Sequence, residues 1–179
     1  MELREVIENR RSIRKYKETK IDNEIILEIL KEATHAPSGH NRQPWKLKLV
    51  SDDEKNKIAE VLYEKYKDVK GHTAPHTAGI IKELPNLVVV YLENDDKIFR
   101  EIDILSIGGY IDEVILLAEE KGLGTLWIAN TNLIKDEIKE ITKVNLETIS
   151  CIGFGLKDQF PNKRPRKEFD EVIIRDWRK

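Results

Sequence analysis

The sequence predicts a single domain in which helices alternate with the short strands of a buried sheet. Its 179 residues suffice for one domain with a sizeable core and are too few for two ordinary domains. Segments with helical spacing of apolar residues alternate with short strand-like runs. One such run, residues 87–92, is continuously apolar and rich in β-branched residues, which predicts a central strand buried on both faces.

Apolar spacing and helix-start signals mark the elements in chain order. Asp22 is a plausible N-cap, and the acidic run 51–54 begins another helix. Residues 68–79 lack periodicity, so we expect a mobile loop there. Gly108 and Gly109 each cost a helix roughly 1 kcal/mol relative to alanine, so we expect another helix or backbone to approach closely. Helices are expected near residues 3–7, 25–33, 51–66, 102–121 and 134–141, and strands near 45–49, 87–92, 125–129 and 148–154.

The composition excludes several classes of protein. The chain has 31 basic and 33 acidic residues, a net charge of -2, which argues against a nucleic-acid or membrane-surface binder. The apolar runs are shorter than a bilayer requires, and the first residues carry no apolar signal region, so a cytoplasmic location is expected. The single cysteine, Cys151, excludes an intrachain disulfide and a multi-cysteine metal site, and its apolar surroundings predict a buried thiol.

A loop at residues 36–45 carries neutral polar groups suited to holding a flat polar ring. Its two prolines fix the backbone, and Gly39 permits a backbone angle that other residues avoid. Ser38, Asn41 and Gln43 offer hydroxyl and amide groups for neutral hydrogen bonding. The alternative is an ordinary connection between a helix and a strand, in which Ser38 and Asn41 only satisfy their own turn.

Basic residues cluster at two distant places, residues 10–14 and residues 163–167. A run of like charges is often only a solvated face. Arginine also presents several donors to phosphate oxygens in bidentate geometry, and Ser12 adds a hydroxyl among the first cluster. Two arginine sources and a serine would make a phosphate pocket without a glycine-rich phosphate loop.

The basic cluster at residues 10–14 and the polar loop at residues 36–45 together resemble the motifs of a known family. Arg-Arg-Ser-x-Arg at 10–14, followed by Pro-Ser-x-x-Asn-x-Gln-Pro-Trp at 37–45, resembles the nitroreductase family of FMN-dependent oxidoreductases. Gly-Leu-Gly-Thr-Leu-Trp-Ile-Ala-Asn at 122–130 also resembles that family. The resemblance implies an α+β fold with a central, mostly antiparallel sheet flanked by helices. It implies one FMN-binding domain over residues 1–179 and an intertwined homodimer, in which the C-terminal segment of about residues 157–179 embraces the partner.

The resemblance also assigns the cofactor site. Arg10 and Ser12 would hold the FMN phosphate, with Arg164 reaching it from the C-terminal stretch. Arg14 would lie near the pyrimidine edge of the flavin, where a cation stabilises the negative charge of the reduced ring; the alternative is a surface ion pair with Glu18. The implied cofactor-binding residues are Arg10, Arg11, Ser12, Arg14, Pro37, Ser38, Gly39, Asn41, Gln43, Ile128, Ala129, Asn130, Arg164 and Arg166.

Backbone N–H groups around Ala129 and Asn130 should face flavin N5, although the family often has glycine at these positions. Asp112 and Glu113 replace an amide pair that the family often carries, and they could change which electron acceptors are tolerated. His72 and His76 have the spacing of a metal pair, but Pro75 between them argues against a helix, and no third ligand is evident. No metal site is therefore expected, and loop histidines near a pocket would more readily contact substrate.

The implied activity is a ping-pong transfer of a hydride from NADH or NADPH, through flavin N5, to a nitroaromatic, quinone or flavin acceptor. No catalytic side chain is expected, because the cofactor carries the chemistry and Arg14 supports it. The open alternatives are an FMN-dependent dehalogenase, a flavin-fragmenting relative, or a non-catalytic FMN carrier or sensor. The apolar residues near the C-terminus should be buried, and a second subunit is a natural partner for them; they are Phe169, Val172, Ile173, Ile174 and Trp177.

Overall fold

The computed structural model describes residues 2–93 and 96–174, and within them seven α-helices and four β-strands. The helices are α1 (Leu3–Asn9), α2 (Asn23–Glu32), α3 (Asp52–Tyr66), α4 (Ala74–Glu83), α5 (Arg100–Glu120), α6 (Lys135–Thr142) and α7 (Phe169–Val172). The strands are β1 (Trp45–Leu49), β2 (Asn86–Leu92), β3 (Leu123–Ile128) and β4 (Glu147–Leu156). Short 3₁₀ turns include Gly39–Asn41 before β1 and Ala129–Ile134 after β3.

The four strands form one open sheet in the order β1-β2-β4-β3, and every pairing is antiparallel. Every residue of β2 is buried, because its side chains alternate between two cores. Val88 and Val90 pack with α2 and α5 on one face of the sheet. Leu87 and Val89 pack with α3, α4 and α6 on the other. The predicted α+β class, the antiparallel sheet and the doubly buried central strand are confirmed.

Local signals start the helices where the sequence predicts. The Asp22 carboxylate accepts a hydrogen bond from the Glu24 N–H at the start of α2. Ser51 and Glu54 form a reciprocal capping box at the start of α3. Each cap satisfies a backbone N–H that has no partner inside its helix, and such caps typically stabilise a helix by about 1 kcal/mol.

The expectation of a mobile loop over residues 68–79 is wrong, because α4 begins at Ala74. Pro75 lies in the first turn of this helix, where a missing N–H costs nothing and the fixed backbone angle favours helix formation. His72 precedes the helix: its ring stacks on Tyr66, and its Nδ1 accepts a hydrogen bond from the Ala74 N–H at 3.1 Å. His76 lies within the helix, so the two histidines belong to different local structures.

The glycine pair in α5 has no close neighbour within the described chain. A Cβ on Gly109 would meet no atom within 4 Å, and one on Gly108 would meet only the Trp127 ring edge at 4.0 Å. The expected close approach is therefore absent from the described residues of this chain. The pair lies instead on a partly exposed stripe of α5 that includes Leu105 and Asp112.

Beyond β4 the chain first runs beside residues 15–17 and then leaves the core. The Lys17 N–H donates to the Leu156 carbonyl at 3.0 Å, and the Asp158 N–H donates to the Lys15 carbonyl at 3.1 Å. From Phe160 onward most side chains are exposed, as Phe160 and Ile174 are at 88% each. Trp177 lies outside the described residues. Among the described helices, none is long and apolar enough to span a bilayer.

Candidate functional site

The arginine segment at residues 10–14 is held against the edge strand β3. The Ile13 N–H donates to the Thr125 carbonyl at 2.9 Å, and Ser12 forms a parallel bridge with the same residue. Ile13 is buried, and Gly124 gives it space, because a Cβ on Gly124 would lie 3.0 Å from the Ile13 side chain. The Tyr16 hydroxyl donates to the Ile13 carbonyl at 2.6 Å. The segment is therefore an ordered element at the edge of the sheet and not a frayed helix end.

Burial raises the pKa of the Tyr16 phenol above its ordinary value, and the nearby Arg14 charge opposes that shift in part. Tyr16 therefore stays protonated at neutral pH and serves as a fixed hydrogen-bond donor to the segment. Arg14 is exposed, and its Nη1 donates to the Ser12 carbonyl at 3.2 Å. Within the described chain, the structure records no ion pair between Arg14 and Glu18.

Arg11 carries a donor that is hidden from water and has no partner. Its Nη1 donates to the Glu8 and Arg10 carbonyls at 2.8 and 2.7 Å. Its Nε is the buried side-chain polar atom that lacks a hydrogen bond among the described residues. Such a donor is costly to leave unsatisfied, so an acceptor oxygen beside this segment would be favourable.

The C-terminal basic stretch lies near the same end of α1. Lys163 Nζ is 4.0 Å from Glu8 Oε2, which is two residues from Arg10. Arg164 and Arg166 follow and are exposed. The two basic clusters expected from the sequence thus converge on one region of the chain.

A cavity of about 310 Å³ opens at the end of β3 and brings Arg14 together with Ile128, Ala129 and Asn130. One face of α4 forms another wall of the cavity, through Thr73 at the helix start, His76, Thr77 and Ile80. Leu126 and Trp127 complete its lining.

The Asn130 side chain fastens that wall in place. Its Nδ2 donates to Thr73 Oγ1 at 3.1 Å and to Thr77 Oγ1 at 2.8 Å. Both N–H groups of the amide nitrogen are therefore committed to α4 and are not available to a ligand. Sequence reasoning missed the contribution of α4, because residues 68–79, which include the first turns of this helix, were interpreted as a loop.

The loop at residues 37–43 satisfies much of its own hydrogen bonding. Ser38 Oγ accepts from the Gln43 N–H at 3.0 Å, and Gln43 Nε2 donates to Asn41 Oδ1 at 3.3 Å. The turn-forming alternative thus describes the Ser38 hydroxyl correctly. His40, Asn41 and Gln43 have φ values of 53°, 55° and 47°. A left-handed backbone at a non-glycine residue costs on the order of 1 kcal/mol or more, so the loop must be held by its surroundings.

The expectation that Gly39 supplies an unusual backbone angle is wrong. The residues with positive φ follow it, and Gly39 is absent from the glycines with positive φ in the described chain. Gly39 is needed for space instead, because a Cβ there would overlap the side chain of Ile102 on α5. Pro37 therefore fixes the backbone of the loop, and Gly39 allows the loop to contact Ile102 on α5.

Within one chain, the loop and the arginine segment lie at opposite corners of the sheet. The loop leads into β1, and the arginine segment lies on the outer side of β3, so four strand spacings of about 4.8 Å separate them, or roughly 19 Å. Along β2, Trp45 aligns with Leu92, whereas Thr125 aligns through β4 with Asn86. Six residues at about 3.4 Å add roughly 20 Å. The two stretches are therefore not brought together by a single chain.

Other candidate residues lie away from the cavity. Glu113 lines a separate groove with α1 and α2, and Asp112 is exposed. In the described part of the chain, no group of three His, Cys, Asp or Glu residues could hold a metal ion. Cys151 is buried as predicted, and burial raises the pKa of its thiol to about 12.

The fold belongs to the α+β class, with one open antiparallel sheet packed between helices, and sequence comparison identifies the family. Residues 7–156 match the family model of the nitroreductase family, and the chain belongs to that family. A Bacillus subtilis protein named "Putative NAD(P)H nitroreductase YfhC" is 27% identical over an alignment 172 residues long, which covers 92% of this chain and 89% of the relative.

Iodotyrosine deiodinase of Thermotoga neapolitana is 29% identical over an alignment 188 residues long, which covers 97% of this chain and 96% of the relative. Among solved structures, a mutant of the FMN and NADPH-dependent nitroreductase NfnB from Sphigopyxis sp. strain HMH has a TM-score of 0.81 at 20% identity, with 99% of both chains covered. That likeness shows the shared fold.

Proposed function

We propose that the chain is an FMN-dependent oxidoreductase that transfers a hydride from NADH or NADPH to a small-molecule acceptor. Membership of the nitroreductase family supports the oxidoreductase class. The observation that supports the site most strongly is the cavity in which Arg14 meets the backbone of residues 128–130. These are the groups that the resemblance assigns to the flavin ring.

The residues present fit the phosphate of FMN. The unpartnered, buried Nε of Arg11 calls for an acceptor oxygen, and the two basic clusters converge beside the end of α1. Phosphate oxygens suit this donor set, since arginine binds them in bidentate geometry. In this proposal Arg10, Arg11 and Ser12 hold the phosphate, with Arg164 and Arg166 from the C-terminal stretch.

FMN, when bound, supplies the ring that accepts and passes on the hydride. Arg14 contributes a fixed positive charge that favours the reduced state, because a preorganised charge costs no reorganisation during the reaction. The backbone N–H groups near Ala129 fix the position of the ring. The face of α4 bearing His76 limits the space for donor and acceptor. A cavity of about 310 Å³ is at the lower end of small-molecule pockets, so the two substrates would occupy it in turn.

The proposal includes a homodimer. One chain places the loop and the arginine segment at opposite corners, so a second copy is needed to bring both to one FMN. The exposed apolar side chains of α5 and β3 suit such an interface, since Leu105 is 76% and Trp127 43% exposed. The C-terminal segment from residue 157 would embrace the partner and cover its own exposed apolar residues. In this proposal residues 1–179 form one domain, and each FMN site is shared between two copies of it.

Nitroaromatics are the first class of acceptor to consider, since the Bacillus subtilis relative is named a putative nitroreductase, and the family resemblance adds quinones and free flavins. Reductive dehalogenation is the second candidate, because the Thermotoga neapolitana relative is named iodotyrosine deiodinase and matches nearly the full length of this chain. NADH or NADPH is the proposed hydride donor for both classes of acceptor.

An absorption spectrum and a reductant titration test the proposal. The protein is saturated with FMN, dialysed and scanned, and then mixed anaerobically with NADH or NADPH. We expect retained yellow colour that bleaches on mixing and returns on addition of a nitroaromatic, a quinone or an iodotyrosine. Loss of all pigment on dialysis would contradict FMN binding. Retained pigment that neither donor bleaches would indicate a non-catalytic carrier or sensor.

A further inference from the structure

The loop at residues 37–43 is fastened to the start of α5 by a buried ion pair. The Asp103 side chain is fully buried, and its two oxygens accept three hydrogen bonds from Arg42. Arg42 Nε lies 3.0 and 3.3 Å from the two oxygens, and Nη2 lies 3.3 Å from one of them. A buried carboxylate requires such a partner, because its charge is removed from water.

Aromatic contacts complete the anchor. The Arg42 guanidinium carbon lies 4.7 Å from the centre of the Phe99 ring, and the His40 ring meets that ring edge-on at 5.7 Å. Phe99 directly precedes α5, so both contacts hold the loop to the same helix end as Asp103 does. Stacking on an aromatic face restricts the guanidinium to one plane.

A second attachment holds the other side of the loop. The Gly39 N–H donates to Ser106 Oγ at 3.1 Å, and Ser106 Oγ donates to the Ile102 carbonyl at 2.8 Å. The attachments at Gly39 and Arg42 thus flank His40 and Asn41, the two consecutive residues with left-handed backbones. A backbone that is unfavourable locally persists only where its surroundings determine it.

We propose that Arg42 and Asp103 are positioning residues for the cofactor: their ion pair fixes the backbone that presents Asn41 and Gln43 to FMN. This inference rests on the proposed function. It goes beyond it by assigning cofactor affinity to a pair of residues outside the family-like motif positions. The two side chains are engaged with each other, and Arg42 also contacts Phe99, so they act on the cofactor only through the loop. The first turns of α5 therefore belong to the cofactor site.

The experiment measures FMN affinity in a set of matched variants. Asp103→Asn removes the buried charge, and Arg42→Lys keeps the positive charge but loses the planar fork of donors. Arg100→Gln is the control. Arg100 is also an arginine at the start of α5 that donates two hydrogen bonds to one carboxylate, at 2.6 and 3.1 Å. Its partner is Glu147 on β4, which is not part of the loop. The readouts are the FMN dissociation constant from fluorescence quenching, the absorption spectrum at saturating FMN, and the thermal midpoint without FMN.

We expect Asp103→Asn and Arg42→Lys to raise the FMN dissociation constant by about 10- to 100-fold, the range seen when groups that orient ligands are removed. The spectrum of the bound flavin should shift in both variants, which a general loss of stability would not cause. Arg100→Gln should stay within about twofold of the parent protein in affinity, with an unchanged spectrum.

Parental affinity and an unshifted spectrum in folded Asp103→Asn and Arg42→Lys would overturn the inference and leave the proposed function standing. If Asp103→Asn does not fold, the result for Arg42→Lys decides by the same criteria. A parent protein that binds no FMN would instead overturn the proposed function.

Discussion

Replacement of Gly109 by alanine tests whether a second copy packs on α5. Gly109 lies within α5 on its partly exposed stripe, and an added Cβ would meet no atom within 4 Å. In an isolated chain the substitution should therefore only improve helix propensity, which is worth about 1 kcal/mol. For a domain of this size, that gain raises the thermal midpoint by roughly 2–4 °C.

The proposed homodimer reverses the sign of this effect. If the partner's backbone approaches Gly109, the new methyl group overpacks the interface at a cost of about 1–3 kcal/mol. The dimer dissociation constant should then rise by roughly 5- to 150-fold. We expect this loss of dimer affinity for Gly109→Ala, and we expect the thermal midpoint to fall at concentrations where the parent is dimeric.

The chain provides a matched control at Gly79 in α4. A Cβ on Gly79 also meets nothing within 4 Å, but Gly79 lies in a groove between α3 and α4, away from the cavity and from α5. Gly79→Ala should raise the thermal midpoint without changing oligomeric state. Analytical ultracentrifugation over a range of concentrations, combined with thermal unfolding, measures both effects. If Gly109→Ala proves as stabilising as Gly79→Ala and leaves the dimer intact, close helix packing at this glycine is refuted.

Three further outcomes follow from the site and the core. Arg14→Gln should slow anaerobic bleaching of the bound flavin by NADH about tenfold or more while changing FMN affinity less, and equal losses in both would contradict a role in reduction. His76→Gln should change the KM for the donor and for the acceptor, because both would use the space beside His76; stopped-flow kinetics of the two half-reactions measures each, and two unchanged values would contradict this placement. Cys151, whose thiol pKa burial raises to about 12, should resist a thiol reagent at pH 8 in the folded protein and react on unfolding; rapid labelling without unfolding would disprove its burial.

Much of the fold could be predicted because its signals are local. Asp22 and Ser51 cap helices through bonds to residues two or three positions away, and β2 is apolar from Leu87 to Leu92 because both of its faces are covered. Local rules failed at Pro75, since a proline argues against a helix interior but suits a first turn, and only the position of the helix start distinguishes the two cases.

The sequence by itself determined the family-like motifs, the doubly buried strand and the chemical character of the site: arginine and serine for an anion, amides for a ring. The tertiary structure decided which groups meet. Asn130 joins Thr73 across 57 residues, and Arg42 joins Asp103 across 61. Strand order also placed the loop and the arginine segment at opposite corners. Periodicity is a property of neighbouring residues, whereas these contacts depend on how distant segments pack around one sheet, and no local pattern encodes that packing.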